Sequence, residues 1–290
     1  MEQQQKITVP QIRAMKASKR IGMLTAYDYP SAKVADAAGA DILLVGDSLG
    51  MVVLGYPDTL SVTVDDMIHH TRAVARGTSR ALIVGDMPYL SYHVSIEESV
   101  RNAGRFIHAG AHAVKIEGGK PSRIKVAEAI LDAEVPVMGH IGLTPQSVNA
   151  IGGFKVQGKG AEDARRLIDE AVALEQAGCF SLVLECVPVE LARFITERIS
   201  IPTIGIGAGP HCDGQVLVFH DVLGLYEGHT PKFVRKYAHL ADDMKVALTN
   251  FLNDVRDGKF PDETTESFHG GTREELERLY GTGGVVVPMK

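Results

Sequence analysis

The chain has 290 residues, enough for one large α/β barrel or two modest domains. A net charge of -6 gives no support to binding of nucleic acid or an anionic membrane, and 45% hydrophobic with 23% charged residues describes an ordinary soluble globule. There is no run of about 18 apolar residues to span a bilayer, the opening Met1-Glu2-Gln3-Gln4-Gln5-Lys6 has no apolar signal stretch, and Cys179, Cys186 and Cys212 make neither a disulfide framework nor a paired zinc motif; a cytoplasmic protein with reduced thiols is expected.

A helix is predicted near Val9–Ala17, then a strand at Ile21–Thr25, a helix at Ser31–Ala38 and a strand at Ile42–Gly46. The alternation continues through helix Val64–Arg76, strand Ala81–Gly85, helix Ile96–Ala109, strand Ala113–Glu117, helix Pro121–Ala133 and strand Pro136–Gly139. Next come helix Ala161–Ala177, strand Ser181–Glu185, helix Val189–Ile199 and strands Thr203–Gly205 and Val216–Phe219. A helical run over Val234–Val255 and a short candidate at Glu274–Tyr280 close the chain. Ser95-Ile96-Glu97-Glu98 has a capping-box arrangement, and the Ala-Gly pairs at 109–110 and 177–178 mark helix ends. Strands separated mostly by single helices predict an α/β fold, a (β/α)8 TIM barrel with an N-terminal helix and a C-terminal helical extension; an open doubly wound sheet is the alternative. Residues 1–268 are expected to form a single catalytic barrel domain, and 269–290 a mobile or inter-subunit tail.

Four of the apolar runs lead into carboxylates: Asp47, Asp86, Glu117 and Glu185. Such strands are buried on both faces, and their C-terminal ends face the side where α/β proteins bind ligands. Acids converging there repel one another unless a cation lies between them, which points to a hard metal ion such as Mg²⁺. The rival reading of Asp47 and Asp86 is helix capping, but neither Ser48-Leu49-Gly50-Met51 nor Met87-Pro88-Tyr89 opens a clean helix. Lys115 and Glu117 are two apart and share a strand face, as a buried ion pair or as a substrate-carboxylate site beside a metal. Glu185 suits a general base; a metal ligand or a cap for the next helix are its rivals. His140 is a candidate accessory group, with a structural histidine as its rival. Gly205, Gly207 and Gly209 fail the dinucleotide fingerprint, because Pro210 stands where it needs glycine; a tight turn, with room for an anionic ligand, suffices. Cys186 follows Glu185 without an adjacent basic partner to make it a nucleophile.

Met23-Leu24-Thr25-Ala26-Tyr27-Asp28, Val45-Gly46-Asp47-Ser48-Leu49-Gly50-Met51 and Val114-Lys115-Ile116-Glu117-Gly118-Gly119 resemble the ketopantoate hydroxymethyltransferase family. The likeness continues through Gly139-His140-Ile141-Gly142-Leu143-Thr144-Pro145-Gln146-Ser147, Gly152-Gly153-Phe154-Lys155-Val156-Gln157-Gly158, Leu184-Glu185-Cys186-Val187-Pro188 and Gly205-Ile206-Gly207-Ala208-Gly209, and spans about Ile21 to Phe268. The resemblance implies a Mg²⁺-dependent (β/α)8 barrel of pantothenate biosynthesis, commonly a homodecamer. It implies hydroxymethyl transfer from 5,10-methylenetetrahydrofolate to 3-methyl-2-oxobutanoate, giving 2-dehydropantoate through a Mg²⁺-stabilised enolate. Carried over by position, Asp47, Asp86 and Glu117 surround the metal, Asp47, Ser48, Asp86 and Lys115 hold the oxo acid, and Glu185 accepts the proton. Pro210-His211-Cys212 departs from the family pattern, as does the tail beyond His269. Two rivals stand beside this reading: a barrel of the phosphoenolpyruvate mutase or isocitrate lyase type, whose lyases carry a cysteine loop not seen here, and a catalytically silent scaffold.

Overall fold

A computed structural model describes residues 5–226, 228 and 230–281. Internal packing divides the chain into two compact units, Met1–His239 and Leu240–Lys290. That division lies ahead of the 268/269 boundary expected from sequence.

In the first unit β1 (Ile21–Thr25), β2 (Ile42–Val45), β3 (Leu82–Asp86), β4 (Ala113–Glu117), β5 (Val137–Gly142), β6 (Ser181–Glu185), β7 (Thr203–Ile206) and β8 (Gly214–Leu217) form a closed parallel barrel in chain order. Pairing of β8 with β1 excludes the open doubly wound sheet. The helices are α1 (Val9–Ala14) before β1, α2 (Tyr29–Ala37), α3 (Leu49–Val52), α4 (Val64–Gly77), α5 (Ile96–His108), α6 (Pro121–Asp132), α7 (Val148–Ile151), α8 (Ala161–Gln176), α9 (Val189–Arg198) and, after β8, α10 (Phe219–Leu223). The second unit contains α11 (Leu240–Arg256) and α12 (Arg273–Tyr280), the latter opened by a Thr272–Glu275 capping box. Residues 282–290 of the expected tail lie outside the described residues.

Three boundaries differ from the sequence reading. β5 runs on to Gly142, taking His140 into the strand. β8 begins at Gly214, and Phe219 opens α10 instead of ending a strand. A Cβ on Gly214 would stand 2.6 Å from the Ile21 carbonyl oxygen, so this glycine permits the close approach of β8 to β1. The final long helix starts at Leu240, not Val234: the preceding stretch doubles back, with Tyr237 N donating to Val222 O at 2.8 Å.

Alternate strand residues sort into two cores. Inward-facing Ile21, Met23, Leu44, Val84, Met138 and Val183 cluster with Ile7 and Ile12, so α1 caps the apolar floor of the barrel. Outward-facing Leu43, Ile83, Val114, Ile116, Leu182 and Leu184 pack with the surrounding helices. At the floor, Asp213 accepts from Lys16 Nζ at 2.8 Å and Thr203 N at 2.9 Å. The loop leading into β8 therefore ends on the face opposite the carboxylate-bearing strand ends.

The Asp36 carboxylate of α2 ties that helix to β3, accepting from Ser79 Oγ at 2.8 Å, Ser79 N at 2.9 Å and Ala81 N at 2.7 Å. Burial opposes its ionised form, but these donors outweigh burial and hold its carboxyl below the usual carboxylate range. A group depressed on folding stabilises the native state at neutral pH and loses that effect as pH falls through its folded value. Asp36→Asn is expected to be less stable than wild type by about 1–3 kcal/mol at pH 7, with the gap closing below about pH 4. Denaturant melts across pH check this; a gap unchanged down to pH 3 would remove the carboxylate's charge from the explanation.

Candidate active site

The inward alternation that builds the apolar floor turns polar at the C-terminal strand ends. Asp86 follows Leu82 and Val84 on β3, Lys115 and Glu117 follow Ala113 on β4, His140 follows Met138 on β5, and Glu185 follows Val183 on β6. Strand register places Asp86 beside Lys115 and Glu117 beside His140. Asp47 and Ser48 come from the turn after β2. All of these residues line one cavity of about 540 Å³.

Lys115 Nζ stands 2.8 Å from Asp86 Oδ1, 3.9 Å from Glu117 Oε1 and 3.3 Å from His140 Nδ1. The His140 ring bridges two carboxylates, with Nδ1 3.4 Å from Glu117 Oε1 and Nε2 3.2 Å from Glu185 Oε2. Asp47 N donates to Asp86 Oδ2 at 3.3 Å, and Ser48 Oγ lies 2.9 Å from Tyr27 OH. The capping alternatives fail. Ser48 precedes α3, Ser95 caps α5 by accepting from Glu98 N at 3.1 Å, and Pro188 precedes α9. Ser95 thereby makes half of the expected capping box.

Two residues not singled out from sequence hold the cluster together. Gln146 donates from Nε2 to Asp47 Oδ2 at 2.9 Å and from its backbone N to Glu117 Oε2 at 3.1 Å. Tyr92 OH donates to Gln146 Oε1 at 2.6 Å and accepts from Glu117 N at 3.1 Å. The only sequence signal for Gln146 was its place in the quoted Thr144-Pro145-Gln146-Ser147 string; Tyr92 carried none.

Charge in the cluster is unbalanced. Burial, then the neighbouring charges of Asp86 and Glu117, push Asp47 well above the usual carboxylate range. Burial also raises Asp86, although Lys115 pulls against it. Glu117 is instead lowered: burial is outweighed by its hydrogen bond to His140, with help from Lys115 and the Gln146 amide. Lys115 is held above its ordinary value because Asp86, Glu117 and Asp47 outweigh burial. For His140, burial and Lys115 are overcome by Glu117 and Glu185, which hold it up at about 9. Asp47 is thus the carboxylate that the protein offsets least, and Asp86 stays raised despite the Lys115 ammonium 2.8 Å away.

Among the described residues, no three His, Cys, Asp or Glu side chains are arranged as a ready metal cage. The donors fit Mg²⁺ in a sparser form, because that ion keeps several waters and takes one or two carboxylates. Asp86 Oδ1 is buried with only Lys115 Nζ, at 2.8 Å, set against it, and Asp47 lies beside it. Glu117, expected to meet a metal directly or through water, has its oxygens engaged by His140 and by Gln146 N, which favours the water-bridged alternative.

Burial, with Glu185 adding to it, pushes the Cys186 thiol up to about 12, which leaves it a neutral wall residue. Gly207 has φ +64°, and a Cβ there would meet the Phe233 ring at 2.7 Å. The glycine motif forms the expected tight turn after β7, with Gly207 and Gly209 both at positive φ, and seats Phe233 against the strand end.

The sequence pattern of the ketopantoate hydroxymethyltransferase family matches residues 6–263. The chain belongs to that family. This ketopantoate hydroxymethyltransferase family member is 58% identical over 277 residues to the 3-methyl-2-oxobutanoate hydroxymethyltransferase of Syntrophomonas wolfei, covering 95% of this chain and 99% of that one. It is 56% identical over 265 residues to the protein of the same name from Moorella thermoacetica, covering 91% and 98% of the two chains. It is accordingly an enzyme of the transferase class. Among solved structures it is similar to phosphonopyruvate hydrolase in complex with oxalate and Mg²⁺, with TM-score 0.58, 15% identity and 95% of each chain covered. It is also similar to 2,3-dimethylmalate lyase, a PEP mutase/isocitrate lyase superfamily member, with TM-score 0.58, 17% identity and coverage of 94% and 95%. At such identities the likeness shows the barrel fold and leaves the chemistry to the site.

Proposed function

We propose that the enzyme transfers a hydroxymethyl group from 5,10-methylenetetrahydrofolate to 3-methyl-2-oxobutanoate, forming 2-dehydropantoate in pantothenate biosynthesis. The observation that carries this is Glu185, on the wall of the shared cavity and 3.2 Å from His140 Nε2, in the same strand-end layer as Lys115 and the Asp47–Asp86 pair. The names of the curated relatives support the same reading.

In this reading Lys115 and Ser48 receive the oxo acid beside Asp47 and Asp86, with Lys115 neutralising the substrate carboxylate. Asp47 and Asp86 would hold Mg²⁺, and Glu117 would support them through water. When bound, the ion would supply positive charge at the keto oxygen as enolate character develops there. Glu185 takes the C3 proton, and His140 holds the Glu185 carboxylate in position. C3 bonds to the methylene carbon and water supplies the hydroxyl oxygen, while both bonds from that carbon to the folate nitrogens N5 and N10 break; those nitrogens take up the equivalent of the C3 proton and one proton from water.

The half-reaction separates this function from a silent scaffold. With Mg²⁺ and no folate, the enzyme is expected to exchange the C3 proton of 3-methyl-2-oxobutanoate with deuterated solvent, followed by NMR. Absence of exchange would sink the proposal.

We also place the enzyme in the cytoplasm as a homodecamer; no described helix is long and apolar enough to cross a membrane. α11 supports self-association, because Met244, Leu248, Phe251 and Val255 follow helical spacing and all remain exposed. Light scattering at micromolar concentration is expected to give ten times the subunit mass, and a monomer or dimer would contradict it.

A further inference from the structure

The cavity is larger than the oxo acid requires. Its volume of about 540 Å³ suits a drug-sized ligand, whereas 3-methyl-2-oxobutanoate is comparable in size to valine. The charged strand-end layer accounts for only part of the lining. The remainder carries Phe154, Tyr226 and Phe233, with Asp221 from α10 and with Lys155 and Lys232. Phe233 is fixed against β7 by the missing side chain at Gly207, while Phe154 is 55% exposed and free to meet a ligand face.

Asp221 is half-buried, and its carboxylate has no hydrogen-bond or ion-pair partner among the described residues; burial accordingly favours its neutral form, with Lys236 working against this. A partly desolvated carboxylate facing a cavity calls for donors from a ligand, and an amino-pyrimidine edge offers two parallel ones. Lys155 and Lys232 are exposed, and neither has a carboxylate partner among the described residues.

We infer that this second part of the cavity seats the one-carbon carrier: Asp221 receives the amino-oxo edge of its pteridine, Phe233 and Phe154 flank the ring, and Lys155 and Lys232 meet the carboxylates of its glutamate tail. This rests on the proposed function and assigns residues to its second substrate. An aromatic wall with an interior acid and outlying cations matches a flat hydrogen-bond-donating ring joined to an anionic tail.

The test separates the two substrates. Asp221→Asn is expected to raise the KM for 5,10-methylenetetrahydrofolate at least tenfold, while folate-independent C3 exchange stays within about twofold of wild type. Unchanged folate KM with normal exchange overturns the assignment of Asp221. Loss of exchange in the wild type itself would bring down the proposed function, and this inference with it. Lys155→Met/Lys232→Met changes only exposed side chains and provides a second reading by titration with tetrahydrofolate mono- and triglutamate. Wild type is expected to bind the triglutamate several-fold tighter, and the double variant to bind both alike. A tail preference that survives in the double variant overturns the role of the two lysines.

Discussion

Asp86→Asn is expected to fold normally and to lose its response to Mg²⁺. Two opposed effects act on the unliganded protein. The substitution weakens the partner that Lys115 holds at 2.8 Å, and breaking a buried ion pair is ordinarily costly. It also removes one of three crowded negative charges, relieving Asp47 and Glu117, while Lys115 keeps Glu117 at 3.9 Å. The net change without metal should be no more than about 1–2 kcal/mol. With metal the difference is larger. A ligand that binds only the native state adds about 2.7 kcal/mol at a hundred times its dissociation constant, and the variant should show none of this at the same Mg²⁺ concentration. Turnover should fall by about 10²–10³-fold with the loss of charge stabilisation at the keto oxygen. Thermal melts with and without Mg²⁺ read the first effect directly. A variant that gains as much stability from Mg²⁺ as wild type does would remove Asp86 from the ligand set.

The strand-end acids were legible because one alternation serves two purposes. The period that buries Leu82 and Val84 places Asp86 on the same inward face, and the one that buries Ala113 places Lys115 and Glu117 there. The repeated strand-helix pattern favoured a barrel over an open sheet, and the pairing of β8 with β1 decides it. Features that depend on contacts between distant segments were not legible. Gln146 reaches Asp47 across nearly a hundred residues of sequence, and Tyr92 reaches Glu117 across the length of α5 and β4, so neither leaves a periodic trace. The strand expected from Val216 begins at Gly214, whose missing side chain lets β8 approach Ile21, a need that no local pattern displays. Nor can spacing reveal which oxygens of Glu117 are already engaged, and that is what separates direct ligation from a water-bridged role.

Glu185→Gln should stop the chemistry while leaving the site assembled. Glutamine matches the size of Glu185 and can still hydrogen-bond to the cavity and to His140, but it cannot accept the C3 proton. Removal of a general base costs about 10²–10⁴-fold. Mg²⁺ and 3-methyl-2-oxobutanoate should bind within a few-fold of wild type, because Asp47, Asp86 and Lys115 are untouched. His140 is a poor substitute, since Glu117 and Glu185 together overcome burial to hold it protonated up to about pH 9. In the variant one of those carboxylates is gone, so its proton should leave at lower pH than in wild type. Any residual exchange through the imidazole would then rise with pH as the ring deprotonates, whereas exchange by free hydroxide would appear equally without enzyme. Exchange at the wild-type rate, with metal affinity collapsed, would instead make Glu185 a ligand and leave the base to be found elsewhere. The measurement is a pH series of C3 deuterium exchange on both proteins, with Mg²⁺ affinity taken from the same preparations.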